Sequence, residues 1–334
     1  MKCIITGLGG RGLFWVSQLT SREDCEIVGY VEPFEASRTR AVNDHGIPSE
    51  QIFNSIDEAL ENAQADFLVD VTPPAVHHEV AAKAFAKGLH VFGEKPLSDD
   101  FENAKKVVEQ GKAANVKHMI TQNYRFSAQP RTTRPLIESG LIGKPGQCDV
   151  QFYMNWADFP GTHYVTEPFM LINDMMVHHF DMLRYVLGAD PESVQAITWN
   201  QPWGWHEGDA AHAIVFRYAD GLVVTHVSCG CAVGSQTSWN GDWRIEGPEG
   251  SLDWKSDGTI SHSHLHRVET PVQENVELLE VPDGSQAMLD EFFAAIKEDR
   301  QPECSAEDNL NSLAMVFGAI QSAKEKREVK LSEL

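Results

Sequence analysis

The fold is decided by residues 3–19, which read CIITGLGGRGLFWVSQL. The stretch starts with a short apolar run and ends with apolar residues at helical spacing, so its glycines lie at a strand-to-helix turn. Gly7, Gly9 and Gly12 match G-x-G-x-x-G, whose glycines allow the tight turn, the close approach of a pyrophosphate and the packing of helix on strand. Because a helix start offers free N–H groups to phosphates, this turn, including Gly10 and Arg11, is predicted to bind a dinucleotide.

A carboxylate follows the next predicted strand. That strand is EIVGYV at 26–31, and Glu32 closes it twenty residues after Gly12. A carboxylate there can accept both ribose hydroxyls of NAD and would repel the extra phosphate of NADP. The sequence therefore predicts NAD. Arg38 and Arg40 lie well past the strand end and leave NADP as the less favoured cofactor.

The first third of the chain alternates between strands and helices. Further strands are predicted at 65–71, 89–92 and 118–122, with helices at 75–87 and 99–114. Strands separated by helices pair in parallel, so residues 1–125 are predicted to form a Rossmann domain with a doubly wound parallel sheet.

Beyond about residue 125, strand-like segments dominate. They lie at 146–155, 193–200, 210–218, 222–229 and 243–254, with helices at 172–187, 286–296 and 306–324. Asp220-Gly221, between two of the strands, is typical of a hairpin turn. Residues 126–334 are therefore predicted to form an α+β domain with an open, mostly antiparallel sheet.

Composition and charge exclude several classes of partner. The 334 residues include 27 Lys and Arg against 49 Asp and Glu, a net charge of -22, so neither nucleic acid nor an anionic membrane is expected as a partner. The six cysteines lack the density of a disulfide framework, and no stretch approaches the roughly 20 apolar residues of a membrane span. The sequence opens without a targeting signal, so a cytoplasmic protein is expected.

Motifs after successive strands resemble a known family. They are TPPAVH at 72–77, EKP at 94–96, NYRF at 123–126, the spacing D-x-x-x-H-H-x-D at 174–181 and the ending at 322–331. With the glycine-rich turn, they resemble the Gfo/Idh/MocA family (glucose–fructose oxidoreductase, inositol dehydrogenase, rhizopine catabolism protein) over essentially the whole chain. The resemblance implies an NAD(P)-dependent oxidoreductase. It also implies further cofactor-binding residues: Thr72, Pro73, His77, Glu94, Lys95 and Asn123.

Lys95 is the first candidate catalytic residue. It follows a predicted parallel strand, and the carboxyl ends of such strands border the crevice where ligands bind in open α/β sheets. A solvated surface lysine is the alternative interpretation. The family resemblance implies that Lys95 orients the substrate hydroxyl and tunes its proton transfer.

Asp174 and His178 form the second candidate pair. They are four residues apart, with Asp181 three further on, so all three are predicted on one face of the helix at 172–187. A histidine beside a carboxylate can be held in one tautomer and can shuttle a proton near neutral pH. The resemblance implies that His178 is the acid/base and that Asp174 orients the substrate. His179 and Asp181 are expected to be structural.

The segment EPFMLINDMM at 167–176 departs from the family pattern. Family members commonly carry glycines before the aspartate and at the second position after it, where Met176 stands here. Met176 and the preceding loop are therefore expected to reshape the pocket wall, which leaves the identity of the substrate open. By resemblance, Tyr124 and Arg125 are further substrate contacts.

Three other patterns remain. Trp203 and Trp205 suit either a sugar ring or a subunit interface. His226, Cys229 and Cys231 lack a nearby fourth ligand, so no metal site is predicted. The histidines at 262, 264 and 266 alternate along one strand face and are expected to be solvated or at an interface.

The sequence thus predicts an NAD-dependent oxidoreductase that transfers a hydride between nicotinamide and a hydroxyl-bearing carbon of a neutral sugar, anhydrosugar or polyol. The acidic surface favours a neutral sugar over a sugar phosphate. Two alternatives stay open, an NAD-dependent redox-neutral glycosidase and a catalytically silent NAD- and sugar-sensing regulator. The antiparallel sheet needs a cover for its second face, and family members commonly assemble on that sheet, so a homo-dimer or homo-tetramer is predicted.

Overall fold

The computed structural model describes residues 1–155, 163–264, 272–282 and 284–334. The chain forms two compact units, one of residues 1–122 and 285–310 and one of residues 123–284 and 311–334. These units differ from the predicted domains, 1–125 and 126–334, because the chain contributes residues 285–310 to the first unit. Among the described residues, every helix is too short or too polar to span a membrane.

The first unit contains a six-stranded parallel sheet in the order β3-β2-β1-β4-β5-β6. Its elements, in chain order, are β1 (Lys2–Thr6), α1 (Gly10–Thr20), β2 (Glu26–Val31), α2 (Glu35–His45), β3 (Ile52–Phe53), α3 (Ile56–Asn62), β4 (Phe67–Asp70), α4 (His77–Ala86), β5 (His90–Gly93), α5 (Phe101–Ala113) and β6 (His118–Ile120). The doubly wound parallel sheet predicted from the sequence is confirmed. Because β1 pairs with both β2 and β4, the loop after β1 lies at the switch point where such sheets bind ligands.

Apolar residues explain why these segments form a covered sheet. All of β4 is buried, and so is β1 after its first residue. Strands buried on both faces are typical of parallel sheets flanked by helices. From α1, the ring of Trp15 packs against Phe92 of β5 with 4.9 Å between the ring centroids.

The second unit is built on a nine-stranded sheet in the order β14-β13-β12-β11-β7-β10-β9-β8-β15. The remaining elements are α6 (Ala128–Glu138), β7 (Gln147–Tyr153), α7 (Met170–Asp174), α8 (Met176–Leu187), β8 (Ser193–Trp199), β9 (Ala211–Arg217), β10 (Val223–Cys229), β11 (Asp242–Gly247), β12 (Gly250–Trp254), β13 (Ile260–His264), β14 (Val272–Val276), α9 (Gly284–Lys297), α10 (Ala306–Glu325) and β15 (Val329–Lys330). Neighbouring strands are antiparallel except β7 and β10, which pair in parallel. The mostly antiparallel sheet predicted from the sequence is confirmed.

Helix α8 lies in the core of the second unit. Every residue from Met176 to Val186 is buried, and a helix that is buried all round can hold polar side chains only if they find partners. Phe180 packs against Phe216 of β9 with 4.9 Å between the ring centroids. His178, His179 and Asp181 therefore lie in a protein interior and not on a solvated face.

Two predicted elements differ from the structure. The helix predicted over 172–187 is two helices, α7 and α8, which meet at Met175. At this junction the side chain of Asn173 donates to Glu167, and that of Asp174 is hydrogen-bonded to Tyr164. The strand predicted over 243–254 is the hairpin of β11 and β12.

Candidate active site

The glycine-rich turn between β1 and α1 has no room for a side chain at two positions. Gly7 has a φ of +87°, and a Cβ atom there would lie 2.7 Å from the carbonyl oxygen of Val71. A Cβ atom on Gly12 would lie 1.9 Å from the carbonyl oxygen of Gly7. Cβ atoms on Gly9 and Gly10, in contrast, would meet no atom within 4 Å. The turn is therefore tightly packed underneath and open at the start of α1, where a phosphate can approach N–H groups.

Glu32 lies beside this turn and is only 5% exposed. One carboxylate oxygen accepts a hydrogen bond from Leu8 N–H at 2.9 Å, and the other accepts one from Phe34 N–H at 3.0 Å. Each oxygen keeps a lone pair that can accept a hydroxyl group. The carboxylate is thus fixed in place by backbone donors and retains the capacity to bind a ribose.

Arg38 does not lie well past the end of β2, as the sequence suggested. Helix α2 begins at Glu35, and one turn brings Arg38 back over the strand end. Its Nη1 atom donates to the carbonyl oxygens of Glu32 and Pro33 at 3.0 and 2.8 Å. The guanidinium therefore helps to hold the backbone that carries Glu32.

Asp70 and His77 shape the edge of the sheet after β4. The Oδ1 atom of Asp70 accepts from Thr72 N–H at 3.1 Å and from the hydroxyls of Thr72 and Thr6 at 2.6 and 3.1 Å. Burial raises the pKa of Asp70, and His77 and these hydrogen bonds oppose that rise. His77 joins two loops, because its Nε2 lies 2.7 Å from the carbonyl oxygen of Thr72 and its Nδ1 lies 2.8 Å from that of Pro96. No spacing pattern in the sequence pointed to Asp70.

Glu94 ties the loop after β5 to α1. It is 7% exposed, and its Oε1 atom accepts from Arg11 Nε at 2.5 Å and from Trp15 Nε1 at 2.6 Å. Its Oε2 atom accepts from the backbone N–H of Lys95 at 3.3 Å. The backbone that carries the half-buried Lys95 is thus held by the same carboxylate that contacts α1. Sequence reasoning missed this link because Arg11 and Glu94 lie 83 residues apart.

In the second unit, Asp174 is the last residue of α7 and His178 lies in the first turn of α8. The prediction of one continuous helix is wrong, yet His178 N–H donates to the Met175 carbonyl oxygen at 3.0 Å, so about one turn still separates the two residues. The His178 ring stacks on the ring of Tyr124, with 4.4 Å between centroids and 9° between planes. The Asp174 carboxylate is hydrogen-bonded to the hydroxyl of Tyr164.

Arg125 and Asp181 form a buried ion pair. Arg125 Nε donates to Asp181 Oδ2 at 2.7 Å, and Arg125 Nη2 donates to Oδ1. Asp181 Oδ1 also accepts from the hydroxyl of Ser312 at 3.0 Å. The side chain of Arg125, predicted to contact substrate, is 4% exposed and pairs with Asp181, because a charge inside the core requires a paired opposite charge.

His179 belongs to a buried chain of histidines. Its Nε2 lies 2.8 Å from the carbonyl oxygen of Trp239 and its Nδ1 lies 2.9 Å from His226 Nε2, while His226 Nδ1 lies 3.0 Å from His212 Nε2. Burial lowers the pKa of His179 to about 4 and that of His212 to about 3, so the chain is neutral near pH 7. His179 must then donate to the carbonyl, which assigns the proton to Nε2 of each ring in turn.

The remaining residues singled out in the sequence lie outside the clusters described above. Met176 is fully buried in the core of the second unit, so its bulk fills the core and does not stand on a pocket wall. Trp203 is 61% exposed and its Nε1 donates to the Cys231 carbonyl oxygen at 3.0 Å. Over the described ranges, no three His, Cys, Asp or Glu side chains are placed to hold a metal ion. His266 lies outside the described residues.

The first unit fits a dinucleotide. The open space at Gly9 and Gly10 would admit a pyrophosphate at the start of α1, and the fixed carboxylate of Glu32 would accept ribose hydroxyls. Pro73 precedes the 3₁₀ turn Pro74–Val76 in this unit, whereas Asn123 begins the short turn Asn123–Phe126 in the second.

Two family models match separate parts of the chain. The model described as "Oxidoreductase family, NAD-binding Rossmann fold" matches residues 1–122. The model described as "Oxidoreductase family, C-terminal alpha/beta domain" matches residues 134–331.

Individual relatives agree with these matches. An uncharacterised protein of Sinorhizobium fredii is 27% identical over 351 residues, covering 99% of this chain and 96% of its own length. The scyllo-inositol 2-dehydrogenase (NAD(+)) of Bacillus subtilis is 28% identical over 274 residues, covering 79% of this chain and 76% of its own length. A solved oxidoreductase from Agrobacterium radiobacter, in complex with NAD+, L-tartaric acid and magnesium, superposes with a TM-score of 0.88 at 17% identity, covering 100% of this chain and 99% of its own.

Proposed function

From the premise that this chain belongs to the Gfo/Idh/MocA oxidoreductase family, we propose that it is an NAD-dependent dehydrogenase of a neutral sugar, anhydrosugar or polyol. The family match establishes an NAD-binding oxidoreductase. The finer proposal, oxidation of a sugar or polyol, rests on one observation. In the second unit, Asp174 lies about one helical turn from His178, whose ring is stacked on that of Tyr124. Inositol dehydrogenases among the relatives support a polyhydroxylated substrate.

The first unit would hold the cofactor through its backbone. The open turn at Gly9 and Gly10 would take the pyrophosphate, and Glu32 would take the adenosine ribose. When bound, NAD supplies the acceptor for the hydride that leaves the oxidised carbon. Lys95, whose backbone is fixed by Glu94, would donate a hydrogen bond to the reacting hydroxyl and favour loss of its proton.

The second unit would supply the acid/base and the orienting carboxylate. The hydroxyl proton would pass to His178 as the carbon is oxidised to a carbonyl, and Asp174 would accept a hydrogen bond from a neighbouring substrate hydroxyl. The stacking of His178 on Tyr124 restricts the imidazole to one plane. We assign Arg125 to the support of α8, since its guanidinium forms a buried ion pair with Asp181 of that helix.

We also propose that the protein assembles as a homo-oligomer through the outer face of the nine-stranded sheet. Ile197, Ala213 and Val227 are cross-strand partners in one row of that face, and Ile197 is 64% exposed. A row of apolar side chains on an uncovered sheet face is a typical subunit contact. Ile197→Asp should reduce the solution mass measured by light scattering, whereas Val233→Asp, at a residue 81% exposed and outside the strands, should not.

The experiment that tests the proposal is NADH formation by the purified protein across neutral sugars, anhydrosugars, inositols and simple glycosides, repeated with NADP. A signal with one stereochemical series supports the dehydrogenase. Cleavage of a glycoside without net NADH would replace it with a redox-neutral glycosidase. Binding of NAD and sugar without any turnover would replace it with a sensor.

A further inference from the structure

The segment at 164–169, which precedes α7 and Asp174, is hydrogen-bonded through its backbone to the loop between β8 and β9. Glu207 N–H donates to the Val165 carbonyl oxygen at 2.8 Å, and Asp209 N–H donates to the Pro168 carbonyl oxygen at 2.9 Å. Between these bonds, a Cβ atom on Gly208 would lie 2.4 Å from the carbonyl oxygen of Glu167. The two stretches of backbone therefore lie in close contact, which only glycine permits at that point.

Tyr164, at the start of this segment, is held by a hydrogen bond from His206. Its backbone carbonyl oxygen lies 3.1 Å from Nδ1 of His206, which is 5% exposed and donates that bond. The ring of His206 stacks on that of Trp205 with 3.9 Å between centroids. The backbone of Tyr164 is thus anchored by a buried side chain that is itself packed in place.

The Tyr164 hydroxyl is hydrogen-bonded to the Asp174 carboxylate. Burial, with a smaller contribution from the Asp174 charge, raises the pKa of Tyr164 to about 12. The hydroxyl therefore stays protonated and donates to Asp174 throughout the neutral range. A carboxylate has about four acceptor positions, so one donated bond fixes its orientation and leaves capacity for a substrate hydroxyl.

We propose that Tyr164 is a positioning residue that acts through Asp174, by fixing the carboxylate that accepts a substrate hydroxyl. The inference rests on the proposed function, because it needs Asp174 to contact the substrate. Neither the G-x-G-x-x-G turn nor the spacing of Asp174 and His178 identifies Tyr164, and its role follows only from the structure. The hydroxyl matters for this role, whereas the ring alone would satisfy a packing role.

The test is a double-mutant cycle on substrate oxidation with Tyr164→Phe, Asp174→Asn and the combined variant. We expect Tyr164→Phe to lower kcat/KM by roughly 10- to 100-fold, the usual effect of a hydrogen bond to a charged group, and mainly through a higher KM. In the Asp174→Asn background the same change should have almost no further effect, since the carboxylate it positions is gone. Tyr153→Phe, a half-buried tyrosine of β7, is the matched control and should behave like the wild type.

A second variant keeps the test decisive if Tyr164→Phe fails to fold. His206→Ala releases the Tyr164 backbone and should also raise KM, again without further effect in the Asp174→Asn background. Additive losses, or an unchanged KM in Tyr164→Phe, would overturn the inference while leaving the dehydrogenase intact. Absence of both turnover and sugar binding by the NAD-loaded wild type would instead overturn the proposed function and this inference with it.

Discussion

The glycine-rich turn of the first unit and the Asp174–Asp181 segment of the second achieve precise placement in different ways. The turn is shaped by its own backbone, since Gly12 meets Gly7 within the same motif. Asp181, in contrast, is held by Arg125 and Ser312, which lie 56 and 131 residues away along the chain. The proposed cofactor site is thus shaped by a local motif, whereas the proposed substrate site depends on partners that the fold brings together.

Loss of a distant partner should therefore have the largest effect on stability. Arg125→Met removes one half of a buried ion pair and leaves Asp181 charged in the core, so the free energy of unfolding should fall by about 3–5 kcal/mol. Urea denaturation of the wild type and the variant measures this difference in the free energy of unfolding. Lys83→Met removes an exposed ion pair with Asp57 and should cost less than about 1 kcal/mol. Equal losses in both variants would contradict the contrast between the regions.

The buried histidine chain should make the second unit sensitive to acid. The pKa of His179 is lowered to about 4 in the folded state, so the unfolded chain binds a proton at a higher pH than the folded one. The free energy of unfolding should therefore fall as the pH drops from about 6.5 towards 4. The contribution of His179 to this fall is at most about 1.4 kcal/mol per pH unit. The slope of unfolding free energy against pH should flatten in His179→Gln and stay unchanged in His45→Gln, at an exposed residue of α2. A slope that His179→Gln leaves intact would remove His179 from this role.

Substitutions of Gly12 and Gly9 should distinguish the effect of the turn on stability from its effect on NAD binding. Gly12→Ala forces a Cβ atom against the Gly7 carbonyl and should cost about 1–3 kcal/mol of stability, with weaker NAD binding. Gly9→Ala meets no protein atom, so it should weaken NAD binding without loss of stability. Calorimetric titration and urea denaturation of both variants give the comparison. If Gly9→Ala bound NAD as tightly as the wild type, the pyrophosphate would not bind at this turn.

Substitution of Glu32 should have the smallest effect on function, a change in the choice of cofactor. Some loss of stability should accompany it, because the carboxylate also accepts hydrogen bonds from Leu8 N–H and Phe34 N–H. Glu32→Ala removes the acceptor for the ribose hydroxyls and should raise the Kd for NAD roughly tenfold, with a smaller change for NADP. Glu35→Ala, at an exposed residue of α2, is the control. Tighter binding of NADP than of NAD by the wild type would reverse the assignment.

The same contrast explains how much the sequence could predict. Strand β2 lies at the predicted residues 26–31, and the turn after β1 follows from glycine spacing, because both depend on neighbours in sequence. Strands β3 and β15 are two residues long and carry no periodicity, and the turn between β11 and β12 interrupts an otherwise strand-like run. The pairing of Glu94 with Arg11 and of Asp174 with Tyr164 depends on tertiary contacts and leaves no spacing pattern.

Turnover and NAD affinity measured together in Lys95→Ala and His178→Ala give the most direct test of the proposed mechanism. We predict that each variant loses roughly 10²- to 10⁴-fold in kcat, the usual contribution of general acid/base groups, while the Kd for NAD stays close to that of the wild type. Wild-type turnover in both variants would contradict the assignment of the chemistry to these residues.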